Sequence, residues 1–491
     1  MPRKLAPLVL ALPLLACPAN KPTEGPSNPP LVQPTPNPEP LPTHLVGSIA
    51  LPGAQTIDFA ISLTADAEGK LASAKLWIPM QGVAGVDFDE VEHEGAPVRL
   101  KWKAVDAQWM LEFGAEPTCA FSQRGIGLEC DVQPVAEEEF AQLLAPKRPQ
   151  TPTPPFPYAV EQVSFTNPAA PDVTLAGTLT IPEGPGPHPV VVLISGSGPQ
   201  DRDETIFAHK PFAVLADHLS RKGVAVLRYD DRGVAASTGD FAQATSREFA
   251  SDAWSAVEFL RTRSDIDAKR IGLIGHSEGG IVGPAVAAEH PKQIAFVVML
   301  AGPGVPGHEI IREQLGLIMK ASGADDEAIA RERGFSERMY VALLASEPGQ
   351  ARAALEPVLK EWYEGLDPAE KQGIGDFEQA VDDRVKPLDT PWMRYFLAYD
   401  PAPTLKKLKM PVLAINGDLD LQVAPDQNMP AIQKALAKNE QAEFVRLPGL
   451  NHLFQPATTG SPNEYGSIET TLDPAMLEVV SKWVRKQAKL E

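Results

Sequence analysis

The sequence predicts an α/β domain built on a mainly parallel eight-stranded sheet with a helical insertion, preceded by a small β-rich domain. Three observations predict it. Beyond residue 158, apolar strand-like runs alternate with amphipathic helical ones, the pattern of strand–helix–strand units around a parallel sheet. One long interval, between Gly302 and Met410, is helical in period, and a connection of that length needs structure of its own. Ahead of these, the stretch from His44 to Leu144 alternates apolar and polar residues in short bursts broken by Gly and Asp, as half-buried strands do.

The strand candidates are "VEQVSF", "VTLAGTLTI", "PVVVLISG", "GVAVLRYD", "RIGLIGHS", "IAFVVMLAG", "MPVLAING" and "AEFVRLPG". Between them "SREFASDAWSAVEFLRTR" repeats Phe249, Ala253, Val257 and Leu260 at helical spacing, so one apolar stripe faces the sheet. The helical interval, Pro306 to Thr404, is read as a cap over the strand ends, where ligands bind in such sheets.

The chain has 491 residues, and domains hold on the order of 100 to 200, so more than one folded unit is expected. Hydrophobic residues at 43% and charged residues at 22% suffice for buried cores. The formal net charge of −20 excludes a phosphate-backbone partner, which requires clustered Lys and Arg. Nucleic acid is therefore not expected.

The opening "MPRKLAPLVLALPLLAC" joins Arg3 and Lys4 to an apolar stretch too short to span a bilayer. Residues 1–17 read as an export signal, and "LLAC" resembles a lipobox that would lipidate Cys17 and tether the chain to the bacterial envelope. An ordinary cleaved signal is the alternative. No later apolar run is long enough to cross a membrane. Residues 18–43 are a proline-rich spacer, 44–144 the β-rich domain, 145–158 a second proline-rich linker, and 159–491 the α/β domain with its cap at about 306–404. In an exported chain, Cys119 and Cys130 are expected to form a disulfide closing a small loop.

Chemistry is concentrated where "RIGLIG" runs into Gly275-His276-Ser277-Glu278-Gly279-Gly280 and then a helical "IVGPAVAAEH". A strand that turns so sharply into a helix needs glycines on both sides and lifts the serine above the sheet. Serine is a poor nucleophile at neutral pH, so it needs a base within reach and a carboxylate to orient that base. In this arrangement the acid and then the histidine follow the serine in sequence. Of nine histidines only His452, in "RLPGLNHLFQ", lies past the seventh strand candidate. The acid belongs in "GDLDLQVAP", which offers Asp418, Asp420 and Asp426. Asp420 is chosen because Gly417 makes the turn and Val423 returns to the core, while Asp418 suits a turn bonded to its own backbone.

Developing charge on a carbonyl oxygen needs donors already in place. The backbone N–H of Glu278 is one candidate, and the loop "SGSGPQDRDE" supplies the other through Ser197, with Gly196 and Gly198 as alternatives. Asp201, Arg202 and Asp203 read first as a structural salt-bridge set. Together "GHSEGG", "GDLDLQV", "LPGLNH", "YDDRG" and "ISGSGPQDRDE" resemble bacterial α/β-hydrolases of the EstD-like esterase group, related to the prolyl-oligopeptidase and serine-aminopeptidase branches. The resemblance implies an α/β-hydrolase fold and carboxylic ester hydrolysis with Ser277, Asp420 and His452 as triad, acting on a small-molecule ester without metal or organic cofactor. Ser195-Gly196 stands where many such enzymes have His-Gly. Two other classes stay open: a peptidase on the same triad, with Glu309 or Asp325 to Glu327 receiving an amine, and a noncatalytic envelope lipoprotein whose β-rich module binds a partner.

Overall fold

The computed structural model describes residues 41–490, except 52–54, 67–69, 79–82, 94–96, 115, 145–146, 367–370 and 372–375. Cys17 and the proline-rich stretch as far as residue 40 lie outside the described residues. The chain divides into two compact units: residues 148–366 with 380–491, and the described residues before Arg148 with those in 367–379.

The N-terminal unit is β-rich. Strands β1 (His44–Leu51), β2 (Gln55–Ala65), β3 (Leu71–Ile78), β4 (Val83–Asp87), β5 (Glu90–Glu92), β6 (Val98–Trp102), β7 (Ala107–Glu112), β8 (Thr118–Gln123) and β9 (Ile126–Pro134) precede helix α1 (Glu137–Leu144). They form one nine-stranded sheet in the order β4-β3-β2-β1-β9-β8-β7-β6-β5. Its core follows the period-2 alternation: on β6, Val98, Leu100 and Trp102 turn inward, while Arg99 and Lys101 between them do not. Phe59, Phe88 and Phe121 ring the fully buried Trp109 at tilted or edge-on angles, the arrangement aromatic quadrupoles favour. Cys119 and Cys130 are directly opposed across β8 and β9 and form a disulfide, with Cα atoms 5.2 Å apart.

The second unit carries a mixed eight-stranded sheet, and its strands coincide with the eight apolar runs. In chain order they are β10 (Tyr158–Asn167), β11 (Ala170–Pro182), β12 (His188–Ile194), β13 (Ala225–Tyr229), β14 (Ile266–His276), β15 (Phe296–Leu300), β16 (Val412–Gly417) and β17 (Ala442–Leu447). The order across the sheet is β10-β11-β13-β12-β14-β15-β16-β17. β10 pairs antiparallel with β11 and β11 with β13, while the pairings from β13 to β17 are parallel. Helices α2 (Pro211–Arg221), α3 (Ser246–Arg261) and α4 (Gly279–Glu289) fall between these strands.

Both faces of this sheet are covered, which is why its central strands are apolar throughout and do not alternate. Val190, Val192 and Ile194 of β12 pack with Ala253, Val257 and Leu260 of α3 and Val282 of α4. Val191 and Leu193, pointing the other way, pack with Leu215 and Leu219 of α2 and with Val480 and Trp483 near the C-terminus. Helix α3 begins with a capping box, in which Thr245 and Glu248 satisfy each other's backbone N–H groups.

The interval between β15 and β16 is helical: α5 (Gly307–Ala321), α6 (Asp326–Ala345), α7 (Ala351–Glu364), α8 (Phe377–Val385), α9 (Pro391–Ala398) and α10 (Ala402–Leu405). The last helices, α11 (Pro425–Ala435) and α12 (Pro474–Gln487), flank β17. From Arg148 onward the second proline-rich segment is fastened down. The Arg148 guanidinium donates to the carbonyls of Phe207, Gly466 and Ile468, and Gln150 bonds the backbone of Thr471 and Leu472. Among the described residues no helix is long and apolar enough to cross a membrane.

Candidate active site

Strand β14 ends at His276 and α4 begins at Gly279, so the chain reverses over two residues. Ser277 sits at φ +51°, a conformation that costs a residue with a Cβ about 1–2 kcal/mol. The glycines make the turn possible. A Cβ on Gly275 would fall 1.9 Å from the carbonyl oxygen of Gly279, and one on Gly279 would fall 2.2 Å from that of Ile194. Ser277 N–H donates to the Leu300 carbonyl at 2.9 Å, and Gly280 N–H donates to the Ser277 carbonyl at 2.8 Å. The strained serine is thereby pinned at the carboxyl end of the sheet, half-buried.

His452 and Asp420 come together from the loops after β17 and β16. His452 Nδ1 lies 2.8 Å from Asp420 Oδ2, and both residues are buried. The other oxygen, Asp420 Oδ1, accepts the N–H groups of Gln422 and Val423, each at 2.8 Å, so the carboxylate is aimed by its own loop. Asp418 is exposed and accepts the Gly449 N–H, and Asp426 pairs with Arg446. Neither alternative acid faces the imidazole. The His452 ring stands 4.9 Å from the ring of His276, the residue preceding Ser277. No hydrogen bond joins Ser277 Oγ to His452 among the described residues; free enzymes often hold this contact loosely until substrate closes it.

The loop after β12 runs beside the serine. A Cβ on Gly196 would lie 3.2 Å from Ser277 Cβ. Gly196 N–H is already donated to Glu204 Oε1 at 2.7 Å, which removes it as an oxyanion donor and leaves Ser197 and Gly198 of the three. Glu278 is the N-cap of α4, where N–H groups have no intrahelical acceptor and the helix dipole is positive. Its side chain is buried, and Oε1 accepts from Ser246 Oγ at 2.5 Å and Trp392 Nε1 at 2.8 Å. Burial raises the Glu278 pKa against these two donors. The Trp392 bond ties helix α9 to the nucleophile turn, and Ile281, Ile310, Phe396 and Val423 pack together beside it.

The "YDDRG" run braces this loop. Asp230 holds Arg202 through a bidentate pair, at 2.9 and 2.6 Å. Asp231 accepts from Ser195 Oγ at 2.8 Å and Gln200 N–H at 2.9 Å. Arg232 clasps Asp252 of α3 at 2.6 and 2.8 Å. The trio Asp201, Arg202 and Asp203 is structural: Asp201 caps its own turn, and Asp203 pairs with Arg228 and Lys210. Asp325 is the N-cap of α6, and Asp325 to Glu327 are exposed. No group of side chains suited to a metal ion occurs among the described residues.

Sequence reasoning missed Glu204, His276, Asp231 and Trp392. The first three stand inside motifs named above, but their partners lie far along the chain, and nothing local marks Trp392. Burial first, reinforced by the charges of Glu278 and Glu204 and opposed by the Gln200 and Ser195 donors, pushes Asp231 up to about 8. A carboxyl raised in this way stays protonated in the fold where the unfolded chain has ionised. Its stabilisation is therefore complete in acid and is lost as pH rises from about 4 to about 8, at up to about 1.4 kcal/mol per pH unit. Asp231→Asn keeps the shape and removes the titration. Melting temperatures of variant and wild type should agree near pH 4, with the variant pulling ahead toward pH 8. A constant difference across that range would show that Asp231 does not titrate there.

A family model described as X-Pro dipeptidyl-peptidase (S15 family) matches residues 172–452, from β11 through His452. Esterase EstD of Thermotoga maritima is 29% identical over 313 residues, covering 64% of this chain and 66% of that protein. The Escherichia coli O157:H7 protein YfhR is 32% identical over 148 residues, 30% of this chain and 48% of its own. The chain thus spans just under two thirds of the first relative's length and about half of the second's. Among solved structures, the α/β hydrolase GrgF from a Penicillium species is 19% identical, with 67% of this chain and 99% of that one covered and a TM-score of 0.42. Proline iminopeptidase of Mycobacterium smegmatis is 16% identical, with 67% and 99% covered and a TM-score of 0.40. With its model matched over more than half the chain, through the strained serine and up to the buried histidine, this protein belongs to the X-Pro dipeptidyl-peptidase (S15) family.

Proposed function

We propose that the chain is a serine hydrolase cleaving carboxylic esters of short to medium acyl chains. The observation that carries this reading is the buried Asp420–His452 pair at 2.8 Å, beside a serine held at φ +51°. Homology to an esterase supports it. Ser277 Oγ attacks the carbonyl carbon while its proton passes to His452 Nε2, and Asp420 holds Nδ1–H and balances the imidazolium. The N–H groups of Glu278 and Ser197 receive the tetrahedral oxyanion. As the carbonyl reforms, the alcohol leaves with the proton from His452. Water then attacks the acyl-enzyme, losing a proton to His452, which returns it to Ser277 as the acid departs.

The family match favours a second reading, a peptidase on the same residues. A panel of p-nitrophenyl acetate, butyrate and octanoate beside aminoacyl and X-Pro nitroanilides separates the two. Faster turnover of the anilides would overturn ester preference. Failure of every substrate, with no labelling by a fluorophosphonate, would favour a noncatalytic binding protein. We further propose that the chain is exported and lipid-anchored through Cys17 on the bacterial envelope. Cys17→Ser should move the protein from the membrane to the soluble fraction, and unchanged partition would remove the anchor.

A further inference from the structure

The residue before the nucleophile is buried with both ring nitrogens engaged. His276 Nδ1 lies 2.9 Å from Glu204 Oε1, and Nε2 lies 3.1 Å from the backbone carbonyl oxygen of His452. A neutral imidazole offers one N–H and one lone pair. A carbonyl and a carboxylate are both acceptors, so a neutral ring would turn its lone pair on another. Against a Glu204 carboxylate, only the imidazolium satisfies both contacts. Its counterion is equally constrained: Glu204 is buried, sits at φ +52°, and uses the same Oε1 to accept the Gly196 N–H at 2.7 Å. An apolar wall that includes Phe212, Leu215, Leu300, Leu453 and Phe454 backs the pair.

Three segments must be in register for the chemistry, and all three meet here. The nucleophile turn enters through His276, the oxyanion loop through Gly196 and Glu204, and the base loop through the His452 carbonyl. We propose that Glu204 and a doubly protonated His276 form a positioning ion pair that registers the oxyanion donor and the general base against Ser277. The proposal rests on the serine-hydrolase reading of Ser277 and His452. Neither member touches the substrate; they act through the backbone of Gly196 and of His452.

A pH dependence follows. The titratable groups around His276 are Glu204 from the oxyanion loop, Asp420 from the acid loop and His452 from the base loop. Burial pulls the His276 pKa down, but it is outweighed by the charge and hydrogen bond of Glu204, the His452 carbonyl and Asp420, and the pKa stands above that of a free histidine. The imidazolium is therefore lost, and the pair with it, as pH rises through this raised value. Turnover should show an alkaline limb set by it.

Glu204→Gln keeps the acceptor and removes the charge. With p-nitrophenyl butyrate, kcat should fall between about ten- and a hundredfold while KM stays within about twofold. The alkaline limb of kcat should move down by about one to three pH units. Glu204→Asp, which keeps the charge on a shorter arm, should return the limb toward its wild-type position even where kcat stays reduced. A purely structural glutamate would change stability without moving the limb. Wild-type kcat and limb in Glu204→Gln would overturn the proposal. If that variant does not fold, a neutron crystal structure of the wild type near pH 7 decides: deuterium on both His276 nitrogens is expected, and on one alone overturns the proposal. Failure of the hydrolase reading is seen separately, as absence of wild-type turnover.

Discussion

Ser277→Ala lowers kcat on p-nitrophenyl butyrate by on the order of 10⁵- to 10⁶-fold and abolishes fluorophosphonate labelling, while the melting temperature stays where it was. The activity loss follows because nothing else at the nucleophile turn can form the acyl-enzyme. Stability is kept because alanine retains the Cβ: the strain at φ +51° is the same in both chains, and the backbone bonds to Leu300 and Gly280 do not involve the hydroxyl. Ser277→Gly tests the strain itself. It is equally inactive, and relief of the left-handed conformation offsets the entropy glycine loses on folding, so stability holds or rises by up to about 1 kcal/mol. An alanine variant that turns over at the wild-type rate would place the nucleophile elsewhere.

Much of this site was legible because its signals are local. A strand buried on both faces reads as an unbroken apolar run, so "PVVVLISG" and "MPVLAING" mark β12 and β16 directly. The turn at Ser277 is legible because only glycine tolerates backbone atoms within about 2 Å of a Cβ position. His452 followed from chain order. What stayed hidden depends on partners remote in sequence. Ser197 could be nominated from its loop, but that Glu204 consumes the N–H of the alternative Gly196 shows only in the fold. The charge on His276 is set by a carboxylate 72 residues earlier and a carbonyl 176 residues later, and Glu278 meets its tryptophan 114 residues on. The order of the N-terminal sheet was hidden for the same reason. Alternation shows that strands exist, but not that β1 lies beside β9.

Asp420→Asn tests the orienting acid, and its hydrogen bonds dictate what the amide must do. Two backbone N–H groups, from Gln422 and Val423, point at Oδ1. The asparagine carbonyl oxygen has to stay there, because turning the NH₂ toward two donors would leave three N–H donor groups facing one another without an acceptor. The amide nitrogen then faces His452 Nδ1, where Asp420 Oδ2 stood at 2.8 Å. Nδ1 must become the acceptor, so the proton moves to Nε2, and the nitrogen meant to deprotonate Ser277 is already protonated. The expected fall in kcat is on the order of 10⁴-fold. The loop keeps both backbone bonds, so the fold survives and KM changes little. Asp418→Asn is the control: its exposed carboxylate accepts the Gly449 N–H, an amide oxygen accepts that bond equally well, and activity should remain within about twofold. A drop confined to Asp418→Asn would reassign the acid, whereas a drop confined to Asp420→Asn assigns the orienting carboxylate to Asp420.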